Sequence, residues 1–403
     1  MDSRFLDPFL YPGIFLCKMH VSREALLYGG GLCALCAAAT LAFRRLRARP
    51  ETPALDGGDA FLLLSDRDVA AALPMRDAIK CNRQAFMDFA KKIAVVPERA
   101  VIAIPPARGH TLFKPAYIPT ASALGLKVVS TRPKNASREV RLPTVPASII
   151  MFSEDTGLIA ALLQATYLTA LRTAAGSGVA TVLLTKRKPS RRVLTVFGAG
   201  MQADAHIEAM LCVHGESLDS LVVINRSRGR AEALCEKWRG SFAAGTRVVL
   251  LSDSKKIEAA VRASDLICTT TNSSKPMFDG AWMKPGTHVN AVGSYTPTMQ
   301  ELDQATVERC AIVIDTEHAL AAGDLAIPTA SGVELRVVGE LGHMLLRVGG
   351  DREKAEQKMS TIPPTNCDCT LFKSVGVAVQ DIATAQAVIR AARKHRIGTH
   401  CTM

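Results

Sequence analysis

A turn that contains two glycines is the clearest chemical signal in the sequence. A short β-branched run from Arg192 meets Gly198, Gly200 and Ala203, and a helical pattern continues to Leu211. The first glycine permits a tight turn, the second lets the backbone approach a pyrophosphate, and the alanine keeps the helix close to the strand. The helix N-terminus then faces the anion. The pattern predicts a dinucleotide site with contacts from Gly198, Ala199, Gly200, Met201, Gln202 and Ala203.

The residues after the next strand-like run bear on the choice of cofactor. Leu221–Ile224 is followed by Asn225, Arg226, Ser227 and Arg230, at the point where NAD-binding domains usually carry an acidic residue. An arginine can bind a 2′-phosphate through two N–H groups, and a serine hydroxyl can donate a further hydrogen bond. We therefore expect NADPH rather than NADH, with its adenosine end contacted by the four residues after the run. If these arginines only start a solvated helix, the dinucleotide site itself is unaffected.

Strands and helices alternate around this site. Helical stretches separate several of the further strand-like runs, as a doubly wound parallel sheet requires. These runs are Arg247–Leu251, Asp265–Thr269, His288–Val292 and Ala311–Asp315.

The flanking segments have a different pattern. Residues 61–150 begin with a helical pattern and continue as short strands separated by prolines, and helix returns after Glu334. We therefore predict an α/β protein in which a Rossmann doubly wound domain, 171–333, is inserted in a discontinuous α+β domain. The latter, 61–170 and 334–395, would bind substrate and form a dimer.

The N-terminal segment is apolar. Residues 25–43 carry no charge, and arginines follow them. As a helix this run is about 28 Å long, close to the thickness of a bilayer core. It predicts an extension (1–24), a membrane anchor helix (25–43) and a basic, Pro/Gly-containing linker (44–60). The positive-inside rule places the remainder in the cytosol, for example at the mitochondrial outer membrane. The alternative is a peptide that targets the mitochondrial matrix.

Charge and cysteine content exclude other classes of protein. The net charge is +12, but no sustained basic face with interleaved aromatic residues occurs, so we expect no nucleic-acid partner. The 11 cysteines are scattered, which is typical of a reducing compartment. Cys367 and Cys369 lack a second pair of ligands nearby in the sequence, so we expect no metal site.

Several motifs in the same order resemble those of the ornithine cyclodeaminase/mu-crystallin family, from about Leu64 to Ala392. The resemblance implies a Rossmann oxidoreductase that acts on small amino or imino acids, and a homodimer. The motifs are Val96–Arg99, Lys114–Tyr117, Gly125–Val129, Thr169–Ala175, Gly198–Ala203, His288–Ser294, Asp315–Thr316, Gly323–Leu325, Gly339–Gly342 and Thr370–Gly376.

The resemblance also assigns roles to residues. Arg99, Lys127 and Arg172 match positions at which the family grips the substrate carboxylate, and we take them as the catalytic residues. Such a clamp would hold the imine carbon within reach of a hydride, and a nearby lysine or a water can supply the proton. Positions that line the cofactor in the family correspond to Thr144, Arg172, Thr269, Thr271, Val292 and Ser294.

Two departures from the family pattern affect the substrate pocket, to which we assign Arg99, Lys127, Tyr295 and Lys114. Tyr295 replaces the aspartate that ornithine cyclodeaminases use on the substrate amine, and a neutral phenol is a poor substitute. Lys114 stands where many relatives have an apolar residue. We therefore expect reduction of the C=N bond of a cyclic ketimine carboxylate. The alternatives are ornithine cyclodeamination, which yields proline and ammonia, and a non-catalytic, NADPH-dependent protein that binds a small ligand of the thyroid-hormone type.

Overall fold

Two β-sheets organise the part of the chain that the structure, a computed structural model, describes. The described residues are 60–107, 109–140, 142–185, 192–349 and 367–402. They lie within one compact unit, Gly57–Met403.

The first sheet has seven strands in the order β15-β1-β6-β5-β4-β3-β2. All neighbouring strands are antiparallel except β1 and β6. Along β4, alternate residues are buried, as expected for a strand with one face against a core. The strands are β1 (Ala60–Leu64), β2 (Ala100–Ile104), β3 (Gly109–Ile118), β4 (Ala123–Ser130), β5 (Ala147–Phe152), β6 (Ile159–Gln164) and β15 (Thr399–Thr402).

Four helices accompany this sheet: α1 (Asp66–Ala72), α2 (Met75–Ala90), α3 (Thr166–Leu184) and α10 (Ala378–His395). Helices α1, α3 and α10 contact its strands, and α2 packs on α3 and α10. Helix α10 lies on β3, β4 and β5 and also contacts the other three helices. Helix α3 is buried along almost its whole length, which matches its run of small and apolar residues. Polar side chains on the inner faces of α3 and α10 are therefore held away from water, and they need partners there.

The second sheet has eight strands, all parallel, in the order β13-β12-β14-β11-β10-β7-β8-β9. From β9 to β11, the strand order is that of a Rossmann domain, with the reversal between β7 and β10. This confirms the predicted fold class. The strands are β7 (Arg192–Phe197), β8 (Leu218–Asn225), β9 (Thr246–Leu250), β10 (Leu266–Thr269), β11 (His288–Ala291), β12 (Cys310–Ile314), β13 (Val337–Glu340) and β14 (Cys369–Lys373).

The helices between these strands are α4 (Met201–His214), α5 (Arg228–Trp238), α6 (Ser254–Ala263), α7 (Gln304–Arg309), α8 (Gly323–Ala330) and α9 (Leu341–Arg347). Strands β13 and β14 belong to the parallel sheet, although the predicted division places them in the segment 334–395. The division of the chain into domains stays a prediction.

The prediction of a membrane-anchored protein is corrected. Among the residues that the structure describes, no helix combines the length and the apolar composition needed to cross a bilayer. The segment 25–43, from which the anchor was predicted, lies outside the described residues. The membrane assignment and the localisation that depended on it are therefore withdrawn.

Candidate active site

The glycine turn lies at the carboxyl end of β7. Gly198 has a φ of +111°, and a Cβ there would lie 2.6 Å from Thr270 Oγ1, so this position requires glycine. Gly200 is the residue before α4, and a Cβ there would meet nothing within 4 Å. Open space in front of a helix N-terminus fits the pyrophosphate of a dinucleotide.

The first turn of α4 and the end of β8 complete this region. Gln202 Oε1 is buried and has no hydrogen-bond partner in the part of the chain that the structure describes, so it can accept a hydrogen bond from a ligand. Asn225 Nδ2 donates to Ser227 O at 3.0 Å, which shapes the turn after β8. Arg226 and Arg230 are exposed beside it. The residues that the sequence assigns to the adenosine end thus share one exposed corner.

The ends of β10 and β11 are held by one buried carboxylate, that of Glu301. It accepts hydrogen bonds from Thr269 Oγ1 at 2.8 Å, from Gly293 N at 2.8 Å and from Thr271 N. Val292 N donates to Thr269 O at 3.1 Å and ties the two strand ends together. Four of the predicted cofactor-lining positions therefore lie on or beside two neighbouring loops whose shape depends on Glu301: Thr269, Thr271, Val292 and Ser294.

Glu301 is part of a larger buried network. Asp324 Oδ1 accepts from Glu301 N at 2.6 Å and from Leu302 N at 3.0 Å, and its Oδ2 accepts from Lys373 Nζ at 2.7 Å. Lys373 also donates to Ser294 O at 2.6 Å. Burial, together with the negative charge of Asp324, raises the pKa of Glu301 to about 7. The sequence reasoning gave no role to this network.

A cluster of three cations around one carboxylate lies between the antiparallel sheet and helices α3 and α10. Lys127 Nζ is 2.6 Å from Asp381 Oδ1, and Arg172 Nε is 2.8 Å from the same oxygen. Lys114 Nζ is 3.6 Å from Asp381 Oδ2. Lys114 and Lys127 are direct partners on β3 and β4, so their side chains leave the same face of the sheet. We call these four residues the cation cluster.

Burial dominates the electrostatics of the cation cluster. It lowers the pKa of Lys114 to about 8 and that of Lys127 well below its ordinary value, although the charge of Asp381 opposes both changes. Burial alone would raise the pKa of Asp381, but the charges of Arg172, Lys127 and Lys114 hold it at about 2. The carboxylate therefore stays ionised at neutral pH, while the lysines release a proton more readily than exposed lysines do.

The loop between β14 and α10 joins the cation cluster to the parallel sheet. Asp315, at the end of β12, accepts from Ser374 Oγ at 2.8 Å and from Gly376 N at 2.6 Å. Gly376 has a φ of +81° and accepts from Lys114 Nζ at 3.0 Å. A Cβ at Gly376 would lie 2.4 Å from Arg172 Nη1. The cation cluster is thus in contact with the carboxyl end of β14.

Two more substrate-pocket candidates border this region. Arg99 is half-buried just before β2, and its charge contributes to lowering the pKa of Lys114, which places it near the cation cluster. Tyr295 follows β11 and is 45% exposed; partial burial raises its pKa. Its phenol is therefore a neutral donor at pH 7.

Thr144 is the cofactor-lining candidate that the structure does not group with the others. It is exposed in the loop between β4 and β5, and its carbonyl accepts from Arg132 N at 2.8 Å. Its contact with a cofactor stays a prediction. Within the described ranges, no group of three or more His, Cys, Asp and Glu side chains could hold a metal ion.

The dinucleotide turn and the cation cluster lie at one edge of the parallel sheet. The turn follows β7, and the loop that contacts the cation cluster follows β14. Strands β10 and β11 lie between β7 and β14, so these two strands are three strand spacings apart, about 14 Å. All of these strands are parallel, so their carboxyl ends face the same cleft. Such an arrangement can hold a dinucleotide beside an anionic substrate.

Comparison with known proteins identifies the family. The model of the ornithine cyclodeaminase/mu-crystallin family matches residues 61–396. The chain belongs to this family.

Three proteins illustrate the similarity. The Thermococcus litoralis Delta(1)-pyrroline-2-carboxylate reductase, solved in complex with NADH and L-proline, is 31% identical. The alignment covers 84% of this chain and 99% of that one, with a TM-score of 0.74. The mouse ketimine reductase mu-crystallin is 31% identical over 295 residues, which are 72% of this chain and 83% of that one. An archaeal alanine dehydrogenase dimer with bound NAD is 28% identical, covers 85% of this chain and 99% of that one, and has a TM-score of 0.71.

Family membership supports a nicotinamide dinucleotide as the cofactor of this cleft, because the two solved relatives hold NADH and NAD. The residues present fit such a group at the Gly198 turn. Sequence reasoning missed Asp381, the central carboxylate of the cation cluster. The available signal was an aspartate and a neighbouring glutamine within an otherwise apolar helical pattern, since buried polar residues of this kind need a specific partner.

Proposed function

We propose that this protein is an NAD(P)H-dependent reductase of a cyclic ketimine carboxylate. The observation that carries the proposal is the buried cation cluster at the carboxyl edge of a dinucleotide-binding sheet. A ring imine with a carboxylate needs an anion clamp beside a hydride donor, and the cation cluster and the glycine turn supply candidates for these two sites at the same edge of the parallel sheet. The relatives named as ketimine and pyrroline-carboxylate reductases support the same reaction class.

Each cation has a distinct part in this proposal. Arg99 and Arg172 bind the substrate carboxylate, because a guanidinium can donate two parallel hydrogen bonds to it. Lys127 supplies the proton to the imine nitrogen, since burial has lowered its pKa while Asp381 keeps its ammonium group oriented. The reduced nicotinamide, when bound, supplies the hydride for the imine carbon. The C=N bond becomes CH–NH, and NAD(P)H becomes NAD(P)⁺.

The test is the consumption of NADPH by the full-length protein with a panel of cyclic imine carboxylates. NADH serves as the alternative cofactor, and ornithine as the alternative substrate. We expect NADPH oxidation with at least one cyclic imine and no ammonia release from ornithine. Tight binding of imines without any oxidation of NADPH or NADH would refute the proposal.

NADPH is our proposed physiological cofactor. Arg226 and Arg230 are exposed beside Asn225, which stands where an acidic residue would repel a 2′-phosphate. The variant Arg226→Ala should raise the KM for NADPH about 10-fold and leave that for NADH within about twofold, because one charge-assisted contact is lost. Arg262→Ala, an exposed arginine on α6, is the control. Equal effects on both cofactors would contradict this assignment.

We also propose a homodimer. Strand β2 forms one edge of the antiparallel sheet, and its Val101 and Ile102 are 52% and 51% exposed. An apolar sheet edge is a favourable surface for a second copy of the chain, and one solved relative is described as a dimer. Light scattering after size-exclusion chromatography should give twice the chain mass, and Ile102→Lys should shift it toward the monomer. A monomeric wild type would refute this proposal.

A further inference from the structure

We propose that the substrate of this site carries a second carboxylate, and that Lys114 binds it. This inference rests on the reductase function proposed above and specifies the chemical class of the substrate: a cyclic imine dicarboxylate. Lys114 would then determine specificity without touching the reacting C=N bond.

The hydrogen bonds of Lys114 leave it free to bind a ligand. Its ammonium group has three protons, and one is donated to Gly376 O at 3.0 Å. Asp381 Oδ2, at 3.6 Å, is beyond hydrogen-bonding distance from Lys114 Nζ. That oxygen has no hydrogen-bond partner among the described residues, so Lys114 is drawn toward it without being bound by it. An oxygen of a ligand can therefore take a remaining proton of Lys114.

The charges of the site also favour a dianion. Three cationic side chains are buried here: Lys114 is 6% exposed, Lys127 1% and Arg172 6%. The single negative charge of Asp381 offsets one of these three positive charges. Asp315, the other acidic group that acts on Lys114, accepts hydrogen bonds from neutral donors of the loop between β14 and α10 and therefore adds a second negative charge.

With the half-buried Arg99, the site holds, among the described residues, four cationic side chains against two carboxylates, so a substrate with one carboxylate would leave one positive charge uncompensated while both lysines are protonated. Because uncompensated buried charge is unfavourable, a second carboxylate on the substrate would improve binding.

Lys114 is a neighbour of the proton donor, Lys127, but occupies a different position in the site. It lies directly opposite Lys127 in the sheet, on the neighbouring strand, and cross-strand side chains of this kind are about 5 Å apart at Cβ. A ring imine whose first carboxylate is held by the arginines can place its nitrogen near Lys127 and a second carboxylate near Lys114. The two lysines then perform different tasks on one small molecule.

The experiment compares two six-membered cyclic imines that differ only in a second carboxylate, placed across the ring nitrogen. The kcat/KM of the full-length protein is measured with NADPH for both, in wild type and in Lys114→Met. We expect wild type to prefer the dicarboxylate, and Lys114→Met to lower the ratio of dicarboxylate to monocarboxylate kcat/KM by about 10- to 100-fold, the effect of one lost hydrogen bond between charged groups. Lys255→Met, an exposed lysine on α6, is the matched control and should keep the wild-type ratio.

The outcomes separate the two proposals. If the monocarboxylate is reduced and Lys114→Met leaves the ratio unchanged, the inference fails while the reductase function stands. If neither imine is reduced with either cofactor, the proposed function itself fails. Should Lys114→Met not fold, competitive inhibition of wild type by succinate and by butyrate decides: succinate should bind at least about 10-fold more tightly, and equal inhibition would overturn the inference.

Discussion

Replacement of Asp381 by asparagine is the most direct test of the cation cluster. The change keeps the shape of the side chain and removes the charge that faces Lys127, Arg172 and Lys114. A carboxyl pKa of about 2 instead of 3.8 means that the ionised form is favoured in the folded protein by about 2 kcal/mol. Loss of one partner also leaves buried cations uncompensated, so we expect a total loss of about 3 to 5 kcal/mol in the free energy of unfolding at pH 7.

The dependence on pH has a defined sign. Because the pKa of Asp381 is lower in the folded state, its contribution is fully present above the unfolded pKa and is lost as the pH falls through about 2. The difference in unfolding free energy between wild type and Asp381→Asn should therefore be constant near neutral pH and shrink below about pH 4. Urea denaturation at several pH values, followed by circular dichroism, measures this difference.

Asp381→Asn should also change catalysis in a way that a purely structural residue would not. Without the carboxylate, the pKa of Lys127 falls further, so the alkaline limb of the kcat/KM profile moves to lower pH. The control is Asp77→Asn, which breaks an exposed pair with Lys80 on α2 and should cost less than about 1 kcal/mol. If Asp381→Asn has the stability and the alkaline limb of wild type, our account of the cation cluster is wrong.

Three further predictions concern the same site. Because burial lowers the pKa of Lys114 to about 8, its ammonium group loses its proton as the pH rises through that value. The kcat/KM for a dicarboxylate imine should therefore fall above about pH 8 in wild type, and this fall should be absent from the pH profile of Lys114→Met. Gly376→Ala would place a Cβ 2.4 Å from Arg172 Nη1 at a positive φ, so we expect at least about a 10-fold rise in the KM for the imine; an unchanged KM would contradict the contact. Arg99→Ala should lower kcat/KM by about 100-fold while the Kd for NADPH, measured by fluorescence, stays unchanged; normal turnover would remove Arg99 from the clamp.

The sequence predicted the parallel sheet well because its signals are local. A β-branched run that meets Gly198 and Gly200 at the start of a helix depends on a dozen consecutive residues, and the structure places them at the carboxyl end of β7. The family resemblance also indicated Lys127 and Arg172, which lie together on Asp381.

What the sequence could not predict depends on contacts between distant segments. Asp381 reads as one residue of a C-terminal helical pattern, and only the packing of α10 on β3 and β4 brings it to the lysines. The role of Glu301 was equally hidden, because its carboxylate accepts hydrogen bonds from backbone N–H groups in loops that precede it in the chain. In the parallel sheet, β14 lies between β11 and β12, although both of these strands precede it in the chain. No local sequence pattern predicts that a later strand is inserted between two earlier ones.

The residues of the cation cluster lie far apart in the sequence, and this has a consequence for folding during synthesis. Its cations come from β3, β4 and α3, whereas their carboxylate comes from α10, near the C-terminus. On the ribosome, the first three elements emerge well before their counter-ion, and charged side chains without a partner favour contact with water over burial. The nascent chain therefore cannot assemble a working cleft until α10 has docked, and a product truncated before Asp381 would be both inactive and poorly packed.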